Sequence, residues 1–306
     1  MGWRLHLSNE PVVGVQLIPG EPPQVAVWDG QHNVHGYARD TAVPLGKVEL
    51  AHQRAPEDLN DLAWREFVES LRAPGGGVLP TVNLNRLTLY YSRDGRMRLY
   101  HYQHGGLILE VDGRHIALDR EQDGRFLAAA LDRALGLVGA VNDEGKLFIF
   151  QQHMRVGAFE LGLALGVDTR LSLYAPDASG TLVVGNGRRV IITDSAGRVQ
   201  HELDAHYAIG PMAVAPSGQI IALADVDDNV IRLYDGRLRA THQRYAIDLV
   251  ADARQVQLLA SLPGRKVALT ALDVADDGTL VFALGGVVCV TSREQLDVLP
   301  QPRPLL

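Results

Sequence analysis

Recurrence constrains this chain most: short apolar segments bounded by tight turns come back again and again, most clearly in its second half. The clearest unit runs from Met212 to Gln243, MAVAPSGQIIALADVDDNVIRLYDGRLRATHQ. It reads as four short strands separated by a Pro-Ser-Gly turn, an Asp-Asp-Asn turn and an Asp-Gly turn. Strand cores fall at Met212–Ala215, Ile220–Ala224 and Val230–Tyr234. β-branched residues fill the cores and turn residues bound them, the pattern of a hairpin-linked antiparallel meander. In the unit before it, Leu171 to Leu203, PDASG stands where the later unit has APSG. The two turn glycines, Gly180 and Gly218, are 38 residues apart.

Other copies are looser. Phe126 to Leu161 carries Asn142-Asp143-Glu144-Gly145 as its middle hairpin, and the unit ending at Leu299 has Asp276-Asp277-Gly278 as its first turn. Two weaker units come first: Val12 to Asp40, with PGEPP and Asp29-Gly30 turns, and Thr81 to Val111, with Arg93-Asp94-Gly95. A period near forty residues with four strands per repeat is the signature of a propeller. The expected fold is therefore all-β: a β-propeller of six or seven four-stranded antiparallel blades, forming one domain over 1–306. A seventh blade has room only in Tyr245–Lys266 or Asp112–Arg125. At 306 residues the chain exceeds the usual size of one core. A ring avoids that limit because each repeat packs mainly on its neighbours. Trp3–Leu7 is expected to pair with the last blade, which would remove an exposed edge.

One segment breaks the pattern. Between Pro56 and Arg72, PEDLNDLAWREFVESLR places Leu59, Leu62, Ala63, Phe67 and Leu71 at helical spacing. Pro56, Glu57 and Asp58 suit a helix start, and Pro74-Gly75-Gly76-Gly77 stops it. A short helical insertion over 56–72 is expected. Trp64 and Val68 widen its apolar face, which makes them candidate partner contacts, although packing on the rim accounts for them as well.

The stretch AHYAIGPMAVAPSGQIIALADVDDNVIRLYD resembles a WD repeat. Ala205-His206 stands where that family has Gly-His, and Tyr234-Asp235 where it has Trp-Asp. The resemblance implies that Asp227 or Asp228 orients His206 through hydrogen bonds. Ala224 occupies the strand position that usually supplies a Ser or Thr, so the implied network lacks one member. Looser propeller families of the quinoprotein-like or YVTN type are similar in pattern too. The resemblance implies a rigid platform that binds another protein or a peptide.

The rest of the chain bears on partners and chemistry. Net charge is −7, and basic residues are scattered without clusters, against a nucleic-acid footprint or a polybasic membrane anchor. Lysine occurs only at positions 47, 146 and 266; the arginine bias suits a GC-rich bacterial genome. The single Cys289 lies in an apolar run and reads as a buried hydrophobe, so nothing points to an oxidising compartment and the cytoplasm is expected. No stretch approaches a membrane span. His32/His35 and His101/His104 are each three apart, which puts strand side chains on opposite faces, so no metal is expected there. DVDDN is explained by a hairpin without calcium. No nucleophile elbow, phosphate loop or zincin helix is present. The expected function is a non-catalytic interaction module, a scaffold or regulatory subunit without cofactor. The alternative is a propeller enzyme or small-ligand binder, lactonase-like or sugar-processing, with acids and histidines meeting around an axial metal.

Overall fold

The computed structural model describes residues 2–6, 12–31, 33–48, 79–84, 87–163, 165, 170–250 and 268–299. The helix expected over 56–72, with Trp64 and Val68, lies outside them, as do His32 and most of Tyr245–Lys266. The described residues form six antiparallel sheets in a ring.

The chain starts with β1 (Trp3–His6), which belongs to the last blade. Blade 1 is β2 (Gly14–Ile18), β3 (Gln24–Trp28), β4 (Val34–Ala38) and β5 (Pro44–Val48). Blade 2 is β6 (Thr81–Leu84), β7 (Leu87–Tyr91), β8 (Met97–Tyr102), β9 (Leu107–Val111) and β10 (Arg114–Ala117). Blade 3 is β11 (Phe126–Leu131), β12 (Leu137–Asn142), β13 (Lys146–Gln151) and β14 (Met154–Glu160). Blade 4 is β15 (Leu171–Tyr174), β16 (Thr181–Asn186), β17 (Arg189–Asp194) and β18 (Val199–Asp204). Blade 5 is β19 (Ile209–Val214), β20 (Ile220–Asp225), β21 (Val230–Asp235) and β22 (Ala240–Tyr245). A short helix α1 (Ala246–Leu249) follows, then blade 6, with β23 (Leu269–Val274), β24 (Thr279–Leu284) and β25 (Val287–Ser292).

Period-two alternation explains the ring. Along β3, Val25 and Val27 join a cluster with Val281 and Ala283 of blade 6, while Ala26 and Trp28 join one with Val82 and Leu89 of blade 2. Along β12, Val138 and Ala140 pack with Leu99 and Leu109 of blade 2; Leu137 and Val141 pack with Leu182 and Val184 of blade 4. Successive strand side chains point to opposite faces, so each sheet buries both faces only between two neighbours. The core is correspondingly six clusters, one in each inter-blade space, and that between blades 6 and 1 closes the circle. Close approach sets the glycines: a Cβ at Gly197, whose φ is +75°, would lie 2.3 Å from the Phe159 ring of the preceding blade.

Two sheets carry a fifth strand. β6 pairs with β7 on the side away from β8, and it is β7 and β8 that abut β11. β7 is therefore the counterpart of the first strand of the other blades, with β6 added on its channel side, and the turn Ser92-Arg93-Asp94-Gly95 matches the first turns of the other blades. In blade 5, β26 (Asp297–Val298) pairs with β22. Asp112–Arg125 holds β10 and a single 3-10 turn and contains no further blade. The expected end-to-end closure is present: β1 runs antiparallel to β25, with Trp3 opposite Val290 and Arg4 opposite Cys289.

Candidate functional site

The inner strands surround an axial cavity of about 1190 Å³. Its wall includes Gln16 and Leu17 of β2, Asn83 of β6, Thr88 and Tyr90 of β7, Ser172 and Tyr174 of β15, and Asp273 of β23. One mouth is formed by first turns of the blades, which hold Arg93, Arg133, Asp177, Asp276 and Asp277, and by Arg39 of the β4–β5 turn.

These charged residues form a belt around that mouth. The Arg93 amide donates to the Arg133 carbonyl at 3.1 Å, and the Asp177 amide to the Pro216 carbonyl at 2.7 Å. The Arg133 amide donates to Asp177 Oδ1 at 3.3 Å, and the Ser217 amide to Asp276 Oδ1 at 2.9 Å. Arg93 also pairs with Asp177 at 2.9 Å, and Arg39 with Asp277 at 3.1 Å. The fully buried Asp132 accepts from Ala134 and Leu135 of its own turn and from Ala178 of the next blade, each at 3.0 Å. The belt thus links blade 2 to 3, 3 to 4, 4 to 5, 5 to 6 and 6 to 1. Its aspartates hold backbone and arginine in place and do not converge on one point.

Inside the channel, the Asp273 carboxylate accepts from the Leu17 amide of blade 1 at 2.6 Å and from the Val274 amide at 2.9 Å. Burial pushes its pKa up to about 7, against the pull of those two amides. Burial also raises the Tyr90 and Tyr174 phenols, so both keep their protons; the Tyr174 hydroxyl donates to the Met212 carbonyl. His101 meets the Phe126 carbonyl at 3.1 Å, and burial lowers its pKa, favouring the neutral ring. Gln16 Oε1 is buried and has no hydrogen-bond partner among the described residues. No group of three or more His, Cys, Asp or Glu side chains among the described residues is arranged to hold a metal ion.

The WD-like stretch is wired differently from the pattern that the resemblance implies. His206 is exposed, and Asp227 Oδ2 accepts from the Ala208 amide at 3.3 Å. Asp228, also exposed, donates its amide to Asp225 Oδ1 at 3.3 Å. Tyr207, the next residue, enters the blade instead, and its hydroxyl meets that of Tyr234 at 2.8 Å. Arg232 lies over the Tyr207 ring, 4.7 Å from its centroid, and pairs with the buried Asp225 at 3.2 Å. Asp235 accepts from the Arg237 and Arg239 amides of its turn, at 2.9 and 3.0 Å. Asp194 makes the same pair of bonds in blade 4, to Ala196 and Arg198. Sequence reading missed Asp225, Tyr207 and Arg232. An aspartate closing an apolar strand, followed seven residues later by an arginine, was the available signal.

The same chemistry recurs elsewhere. Asp123, also buried, pairs with Arg155 at 2.7 Å, and that guanidinium lies 4.5 Å from the centroid of Phe148. In blade 2, Glu110 takes the Tyr100 hydroxyl at 2.5 Å and Arg98 at 3.3 Å. A buried carboxylate, an arginine and an aromatic ring thus lock three of the six blades.

No protein-family model matches the chain, and no curated protein matches it in sequence. Solved structures do. The chain is similar to the WD40 β-propeller domain of Doa1, with a TM-score of 0.58 at 11% identity over 96% of each chain. It is also similar to the computationally designed protein Ika8, with a TM-score of 0.56 at 12% identity, covering 94% of this chain and 98% of that one. The fold is a WD-repeat-like six-bladed β-propeller.

Proposed function

We propose that this chain is a non-catalytic protein-interaction module, a scaffold or regulatory subunit whose partner is a separate polypeptide. The observation that carries the reading is the belt: charged groups at the channel mouth are spent on joining blades, which makes the ring a rigid platform. WD40-like propellers are commonly interaction scaffolds, and rigid presentation of loops is what such a role needs. Among the described residues no helix is long and apolar enough to cross a membrane. A bacterial cytoplasmic setting suits the arginine bias and the single buried cysteine. We place the partner contacts on the loop faces, with Trp64 and Val68 as candidates, and the scattered charge speaks for a protein or peptide rather than nucleic acid.

The test is isolation of the tagged full chain from its native cell after cross-linking, followed by mapping of the cross-linked residues. A stoichiometric protein partner whose cross-links cluster on one face of the ring supports the reading. A monomer that carries stoichiometric zinc or calcium would overturn it in favour of a metal-dependent propeller.

A further inference from the structure

We infer that the axial channel is a binding site for a slender organic cation, an ammonium or guanidinium group, received by Asp273 with Gln16 as a second acceptor. This goes beyond the interaction reading and does not depend on it.

The argument starts from an imbalance of hydrogen-bonding groups. Asp273 is the cavity-lining carboxylate carried by an inner strand; Asp177, Asp276 and Asp277 belong to the turns at the mouth. Two backbone amides are its hydrogen-bond donors among the described residues. They leave acceptor capacity on a group with about four lone-pair sites. Gln16 Oε1, on the strand that supplies the Leu17 amide, is a second acceptor with no partner among the described residues. Asn83 Oδ1 is a third, taking only the Thr88 hydroxyl, at 3.0 Å, among the described residues. The wall therefore carries open acceptor sites, and a half-buried carboxylate without a counter-charge is costly. The arginines of the lining are engaged elsewhere: Arg125, away from the belt, donates to the Gln103 carbonyl at 2.7 Å, and the other three lie at the mouth. Arg39 and Arg93 are paired with Asp277 and Asp177, and Arg133 Nε donates to the Tyr91 carbonyl at 3.1 Å. A ligand bearing several N–H donors and one positive charge supplies what the wall lacks. Tyr90 and Tyr174 line the same cavity, and Tyr174 is close enough to Asp273 to feel its charge.

The cation could be a free amine or an arginine side chain carried by a partner. Titration calorimetry on the full chain at pH 8 separates the two, with agmatine and a blocked Ala-Ala-Arg-Ala-Ala peptide as probes and n-butanol as neutral control. At least one cation should bind with unit stoichiometry and butanol should not; the tighter probe names the source. Asp273→Asn should weaken binding at least tenfold and Gln16→Leu several-fold, while the remote Asp227→Asn should leave it unchanged. For the unmodified chain, affinity should fall as pH drops from 8 to 6, because the cation must displace a proton from a carboxyl whose pKa lies near 7. This last measurement needs no variant to fold. Absence of binding by both cations, equal binding of butanol, or affinity independent of pH would overturn the site.

Discussion

The seam between blades 3 and 4 and the seam between blades 6 and 1 do the same geometric job with different means. The first joins sheets that follow each other in the chain and is held by apolar contact, the Asp132 hub and the Arg133 amide on Asp177. The second joins segments more than two hundred residues apart and has to offset a far larger loss of chain freedom. It is tied at several levels. The outermost tie is β1 on β25, and the innermost is the Leu17 amide on Asp273. Between them lie the Val12 amide on the Gly285 carbonyl, the Trp3 indole on the Arg39 carbonyl, and the Arg39–Asp277 pair. Closing a ring thus concentrates specific polar bonds where sequence adjacency gives no help.

That comparison can be broken by experiment, beginning with the largest effect. Deleting residues 1–6 strips β25 of its partner strand and uncovers Val288 and Val290. The loss should exceed about 4 kcal/mol, with aggregation through the exposed edge, read by thermal melts and light scattering. Asp225→Ala leaves the half-buried Arg232 beside Tyr207 without its counter-ion and should cost about 2–4 kcal/mol in urea unfolding. Asp132→Ala orphans three amides, one of them across the blade 3–4 seam, and should cost about 2–3 kcal/mol. If the sequential seam tolerates this loss with unfolding still cooperative, apolar packing carries it, as the comparison holds.

Asp273→Asn should change stability in a direction set by pH. The folded-state pKa, about 7, lies above the ordinary carboxylate value, so the contribution of Asp273 to stability is present at acid pH and is lost as pH rises through 7. The asparagine variant should therefore melt a few degrees higher than the unmodified chain at pH 8.5, on the order of 1–2 kcal/mol, and about equally at pH 4. The smallest effect belongs to Asp227→Ala: its carboxylate holds one exposed amide, and the change should stay within about 0.5 kcal/mol.

The ring was legible in the sequence because its physics is local. PDASG, APSG and ADDG each set a first turn, and continuous apolar runs such as QVAVW mark sheets buried on both faces. The closure expected of Trp3–Leu7, and made by Trp3–His6, followed from the cost of a bare edge. The fifth strands escaped notice: Thr81–Leu84 reads like the first strand of any blade, and Asp297–Val298 is too short to carry a pattern. Site residues were less accessible. His206 and Tyr207 are neighbours, and only the backbone path decides which of them enters the blade. Asp273 sits in LTALDV, where alternation alone does not say that its face looks into the channel.

Arg4 and Cys289 stand opposite each other on β1 and β25, and Cys289 is the only cysteine in the chain. Arg4→Cys therefore places a second thiol at cross-strand distance, within reach of a disulfide. A ring closed by its first strand predicts that mild oxidation of the monomer consumes both thiols and yields a peptide linking residues 4 and 289 by mass spectrometry. Two thiols that stay free in the folded monomer, or that link only between molecules, would contradict it.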